Sequence, residues 1–276
     1  MSKLTRRQFV GTAALAAGFA AAVRPVAATM ITTDTTGLIA GSVRIPVQGG
    51  TIPAYRAMPI IGESFPVCLV VHEIFGIHEH IRDVCRRLAK LGYLAIAPDL
   101  LVRQGDVSKL DSIDAIRPVV AKVPDAQVFA DLDATLYWAL KSAKGNAAQV
   151  GITGFCWGGR IVWMYADHNP KIQAGVAWYG RLTGEANALR PRNPIDIAAN
   201  LTIPVLGLYG GKDTGISLES VEQMRDRLKS SPSQSEIVVY PNASHAFFAD
   251  YRPSYSEVDA KDGWQRLQAW LKRFGV

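Results

Sequence analysis

GITGFCWGGR, residues 151–160, decides how the rest of the chain is read. The apolar run QVGITGF (149–155) has the length of a buried strand, and the stretch from Gly158 to Asp167 has a helical pattern. Between them stands Cys156, with Gly154 before it and Gly158-Gly159 after it. A strand that turns this sharply into a helix crowds its own backbone, and glycine at the flanking positions removes the side chains that would clash. A cysteine at such a corner is raised above the sheet edge at a helix N-terminus, where the dipole and free N–H groups favour a thiolate. A small apolar cysteine packed in a tight turn fits the same residues. What else the chain brings to this edge separates the two.

Outward from the corner, two periods alternate. PVCLVVHEI (66–74), YLAIAPDL (93–100), QAGVAWYG (173–180), IPVLGLYG (203–210) and SEIVVYP (235–241) are continuous apolar runs suited to strands buried on both faces. Helical patterns lie between them. In HIRDVCRRLAKLG (80–92), Ile81, Val84, Cys85, Leu88 and Leu91 share one face and Gly92 is a stop. Others are DAQVFADLDATLYWALKSAKG, SLESVEQMRDRLKSS and SYSEVDAKDGWQRLQAWLKRF. SVRIPVQGG and TIPAYRAMP alternate around Gly49-Gly50 as an N-terminal β-hairpin. The fold class is therefore α/β, a mostly parallel central sheet with helices on both faces, whose ligands sit at the carboxyl ends of the strands. The stretch 181–200 reads as an irregular loop near the mouth of the site.

Two more residues stand at such strand ends. Asp213 follows IPVLGLYG in Gly210-Gly211-Lys212-Asp213, and His245 follows the next strand in Asn242-Ala243-Ser244-His245-Ala246-Phe247. Nucleophile, acid and histidine, each beyond a successive late strand, is the chain order of the α/β-hydrolase triad. Elbow geometry makes the Trp157 N–H one oxyanion donor, and the loop after the strand ending near Glu73 supplies the other, from Ile74.

From about residue 40 onward the chain resembles the dienelactone hydrolase (carboxymethylenebutenolidase) family of α/β-hydrolases. The resemblance is carried by His72-Glu73-Ile74-Phe75-Gly76, Ala97-Pro98-Asp99-Leu100, Gly154-Phe155-Cys156-Trp157-Gly158-Gly159, Asp213 and Ser244-His245-Ala246-Phe247. It implies a lactone or ester hydrolase with the triad Cys156, Asp213 and His245, and places Glu73 beside the nucleophile as a carboxylate that changes hydrogen-bond partners when substrate arrives. It also implies substrate contacts from Phe75 and from two arginines. Arg103 falls on one of those positions; the other, four residues after the histidine, is Ala249, and Arg252 is the nearby substitute. A broad acyl esterase or peptidase of the same fold, or a small-molecule binding protein that has lost turnover, remain alternatives.

No cofactor or metal is expected: His72, His78 and His80 have no carboxylate at a ligand spacing and read as solvated loop residues. Cys68 and Cys85 read as inert core thiols, and three cysteines make no disulfide framework. MSKLTRRQFVGTAALAAGFAAAV begins with Arg6-Arg7 before a short apolar run and resembles a twin-arginine export leader, with small residues Val26-Ala27-Ala28 as the cleavage site. The run is too short and alanine-rich for a comfortable membrane span. The expected organisation is an export signal over residues 1–28 and one domain over 29–276, periplasmic or secreted, whose partners are the export machinery and a small ester or lactone. Removing residues 1–28 takes the formal charge from +6 to +2, and no basic stripe survives to suggest nucleic acid.

Overall fold

The computed structural model describes residues 30–276; the leader reading lies outside the described residues. Eight strands form one sheet in the order β1-β2-β4-β3-β5-β6-β7-β8. β1 (Leu38–Val47) and β2 (Gly50–Pro59) are the expected hairpin, closing at Val47 opposite Gly50, and β2 pairs antiparallel with β4. β3 (Phe65–Val71), β4 (Leu94–Pro98), β5 (Gly145–Phe155), β6 (Ala174–Trp178), β7 (Val205–Gly210) and β8 (Glu236–Tyr240) run parallel.

The crossovers decide where chemistry can occur. The chain leaves β3 for β4 on one side and returns past β3 to β5 on the other, so the strand order reverses between β3 and β5. Loops leave this point in opposite directions and open a crevice above the strand ends. The loop after β3 carries Glu73 and that after β5 carries Cys156, so the two fall on adjacent strands.

The helices are α1 (Glu79–Lys90), α2 (Ile113–Ala121), α3 (Asp125–Ser142), α4 (Trp157–His168), the short α5 (Pro194–Ile197), α6 (Leu218–Leu228) and α7 (Glu257–Arg273). They cover both faces. A Cβ on Gly175 of β6 would meet Val162 of α4, whereas Trp178, three residues on, packs against Gly263 of α7. The apolar stripe of α1 is buried at Ile81, Val84, Cys85 and Leu88, each aliphatic side chain contributing about 1.5–3 kcal/mol by leaving water. Leu91 departs from expectation: it caps the helix and is 44% exposed. Helix α2 was not apparent in the sequence because Pro118 interrupts its pattern, and Ser112 starts it by accepting from the Ala115 N–H. The irregular 181–200 stretch ends in α5 and a 3-10 turn. Among the described residues no helix is long and apolar enough to cross a membrane.

Candidate active site

Cys156 sits at φ +55° between β5 and α4, a left-handed conformation that costs a non-glycine residue about 1–3 kcal/mol. Backbone bonds hold it there. Its N–H donates to the Trp178 carbonyl at 3.0 Å, and its carbonyl accepts from Gly159 and Arg160 at the start of the helix. The glycines are needed for space. A Cβ on Gly154 would lie 2.5 Å from the Gly158 oxygen, one on Gly158 would lie 2.3 Å from the Val71 oxygen, and one on Gly159 would lie 2.4 Å from the Trp178 oxygen. The corner is thus wedged between the ends of β3 and β6.

His245 and Asp213 meet this sulfur. His245 Nε2 lies 3.2 Å from Cys156 Sγ and Nδ1 lies 2.6 Å from Asp213 Oδ2. Asp213 is itself anchored, since its Oδ1 accepts from the N–H groups of Gly215 (2.8 Å) and Ile216 (3.2 Å). Burial works against a charge on His245, but the bonds to Asp213 and Cys156 outweigh it and raise the imidazole to about 10. At neutral pH the ring therefore keeps both protons, donating one to the carboxylate and one toward the sulfur.

Glu73, in the loop after β3, is 1% exposed. One of its oxygens accepts from the Tyr251 hydroxyl and faces His78 Nε2 at 3.5 Å; the other, Oε1, has no hydrogen-bond partner among the described residues. Burial disfavours its charge, yet His78, His80 and the Tyr251 hydroxyl prevail and hold the carboxyl at about 2. Ile74 and Trp157 border the cleft beside Cys156, and no backbone hydrogen bond from either N–H is found among the described residues. The cleft encloses about 560 Å³.

The Dienelactone hydrolase family pattern matches residues 52–275. A Methylorubrum extorquens protein provisionally named carboxymethylenebutenolidase is 60% identical over 275 residues, covering 99% of this chain and 94% of its own. The chain belongs to the dienelactone hydrolase family. An Escherichia coli relative with the same provisional name is 53% identical, covering 94% of this chain and 96% of its own. A Klebsiella pneumoniae crystal structure, provisionally named a dienelactone hydrolase, superposes with a TM-score of 0.83 at 55% identity, covering 86% of this chain and 99% of its own. The protein is thus a dienelactone hydrolase-like enzyme acting on lactones or esters.

The residues that the family resemblance assigned to substrate are divided by the structure. Phe75 and Arg252 border the cleft, the guanidinium of Arg252 lying 5.9 Å from the Phe75 ring centre. Arg103 is not among the cleft residues: its guanidinium is engaged by the buried Asp131 on α3. Other arginines stand in the wall instead. Arg181 and Arg190 come from the loop after β6, Arg117 from α2 and Arg160 from α4, where Asp125 binds it with two contacts of 2.8 Å. These were missed because nothing in the sequence shows which way an arginine side chain faces.

Two tyrosines were missed as well. Tyr179 borders the cleft directly after β6, and its buried hydroxyl has no hydrogen-bond partner among the described residues. The strand-end rule that found Asp213 and His245 points to it. Tyr251 had no such signal. The histidine reading is corrected: His72, His78 and His80 are all buried rather than solvated. His80 Nδ1 lies 3.0 Å from Asp250, and His78 packs its ring on Tyr251 with centroids 4.9 Å apart. Burial pushes His78 down to about 4, against the pull of Glu73. Among the described residues no group of three or more potential ligands is placed to hold a metal ion. Cys68 and Cys85 are buried, and burial pushes the Cys68 thiol up to about 12.

Proposed function

We propose that the enzyme opens small anionic lactones and esters through a thioester on Cys156. The sulfur attacks the carbonyl carbon and the N–H groups of Ile74 and Trp157 receive the oxyanion. Collapse breaks the bond to the leaving alkoxide, which takes the Nε2 proton of His245. The neutral ring then removes a proton from water, the resulting hydroxide attacks the thioester, and the sulfur leaves as a thiolate beside the reprotonated imidazole. Asp213 keeps the ring oriented throughout. The observation that carries this reading is the continuous contact from Cys156 Sγ through His245 to Asp213, at 3.2 and 2.6 Å.

Charge in the cleft supports an anionic substrate. Arg181, Arg190 and Arg252 border it with no carboxylate partner among the described residues, while the acid that lines it, Asp213, is committed to His245. The relative from Bradyrhizobium, 29% identical over 231 residues, has a provisional name that specifies a lactonase for a furanone-substituted oxopropanoate, an anionic lactone. Glu73 acts as a regulator of the nucleophile in this reading, able to leave Tyr251 when substrate enters.

We infer export as well: Arg6-Arg7 followed by the apolar run to Val23 supports twin-arginine export, cleavage near Thr29 and a site of action outside the bacterial cytoplasm. N-terminal sequencing of protein from a periplasmic fraction tests it. For the catalytic reading the test is Cys156→Ala, assayed on nitrophenyl acetate and a panel of carboxylated lactones. Turnover should vanish; turnover at the parent rate overturns the assignment.

A further inference from the structure

We propose that His72 is a positioning residue that holds both oxyanion donors, the Ile74 and Trp157 N–H groups, in place. The inference rests on the thioester reading above. His72 is fully buried and is absent from the cleft wall, so it acts through its neighbours rather than on substrate.

The first link runs through a peptide plane. His72 Nδ1–H donates to the Glu73 carbonyl at 2.6 Å. That carbonyl and the Ile74 N–H belong to one planar trans peptide group, so a bond that fixes the direction of one fixes the direction of the other. The donor role of Nδ1 leaves Nε2 unprotonated, and Nε2 accepts from the Leu100 N–H at 3.1 Å. Both ring nitrogens are therefore satisfied in one neutral tautomer, which ties the loop after β3 to the loop after β4. Burial pushes the imidazole below its ordinary range, with Asp99 opposing, which keeps that tautomer at neutral pH.

The second link is a stack. The His72 ring lies 5.7 Å from the Trp157 ring, with 20° between planes. Trp157 is the first residue of α4, so the stack bears on the residue whose N–H forms the other side of the oxyanion site. The backbones also touch: a Cβ on Gly158 would lie 2.6 Å from the His72 oxygen. One ring thus braces the two loops whose relative position sets the spacing of the donors.

The test is His72→Leu, with His72→Gln as the rescue that restores a donor and an acceptor. Loss of one oxyanion donor lowers kcat about 10²–10³-fold, so a misaligned donor should lower kcat about 10- to 100-fold with KM within about twofold. Binding of a trifluoromethyl ketone, whose thiohemiketal carries the oxyanion, should weaken in proportion. Alkylation of Cys156 by iodoacetamide, which forms no oxyanion, should stay within about twofold of the parent, and glutamine should restore kcat to within about fivefold. A kcat within about twofold of the parent overturns the proposal, as does alkylation that falls by the same factor as kcat. Should the leucine variant not fold, His72→Phe, which keeps the stack and loses the bond, carries the same comparison. Activity that survives Cys156→Ala would instead sink the thioester reading, so the two failures are distinct.

Discussion

Tyr251→Phe removes one oxygen from beside the buried Glu73 and leaves the ring in place. In the parent that hydroxyl donates to Glu73, a carboxylate 1% exposed whose second oxygen already has no hydrogen-bond partner among the described residues. A hydrogen bond to a charged group contributes about 1.5–3 kcal/mol, and a buried charge left without it keeps its desolvation cost. The expected loss is therefore about 2–3 kcal/mol. In a chain of this size each kcal/mol moves Tm by about 2–4 °C, so the variant should melt roughly 5–10 °C lower at pH 7. On a Glu73→Gln background the same substitution breaks a neutral bond of about 1 kcal/mol, which makes the coupling in the double-mutant cycle about 1–2 kcal/mol. The pH dependence has a definite sign. Glu73 is held at about 2, below its ordinary 4.5, so its contribution is complete above 4.5 and is lost as pH falls through about 2. The gap between parent and Tyr251→Phe should narrow over that window. Calorimetry on the four proteins checks this, and equal Tm losses on both backgrounds, or a loss under about 2 °C, refute the account of Glu73 as a charge held by Tyr251.

Asp213→Asn should lower kcat about 10³-fold or more by removing the carboxylate that orients the His245 ring and favours its charged form, while leaving the fold intact, as steady-state assay and circular dichroism will show. Because His245 is raised to about 10 from 6.5, its pairing stabilises the parent fully below pH 6.5 and fades as pH rises through about 10; the Tm difference between parent and Asp213→Asn should shrink on that alkaline side. Gly158→Ala puts a Cβ 2.3 Å from the Val71 oxygen and should cost about 3 kcal/mol in urea unfolding, whereas Gly41→Ala, with nothing within 4 Å, should cost under about 1 kcal/mol. Arg190→Gln should raise KM about tenfold for a carboxylated aryl ester, the effect of about 1.4 kcal/mol, and leave a neutral ester unchanged; an equal rise for both would exclude charge recognition.

Much of this was legible before any coordinates. The alternation of strand and helix periods marked the sheet and five of the helices, because residues buried on both faces of a strand must all be apolar and a helix one layer out needs a single stripe. Helix α2 escaped because Pro118 broke the stripe. Cys156, Asp213 and His245 were legible because each closes a strand and parallel strands end on one edge. Arg103 shows where this kind of reading stops: the motif position matched, yet Asp131, 28 residues away on α3, took its guanidinium. His78 and His80 were misread for a related reason, since Phe248 and Tyr251 from the far end of the chain pack against their rings.

What the order of residues alone determined was the layered sheet, the glycine-flanked corner and the three groups poised at its edge, all of which follow from local spacing and from the direction of parallel strands. What the tertiary structure alone decided was partnership: Tyr251 for Glu73, Asp131 for Arg103, the peptide of Glu73 for His72, and the arginines that face the cleft. Periodicity constrains which face of an element is buried, but a hydrogen bond needs two atoms about 3 Å apart, and for groups far apart in sequence only the closed packing of the chain supplies that distance.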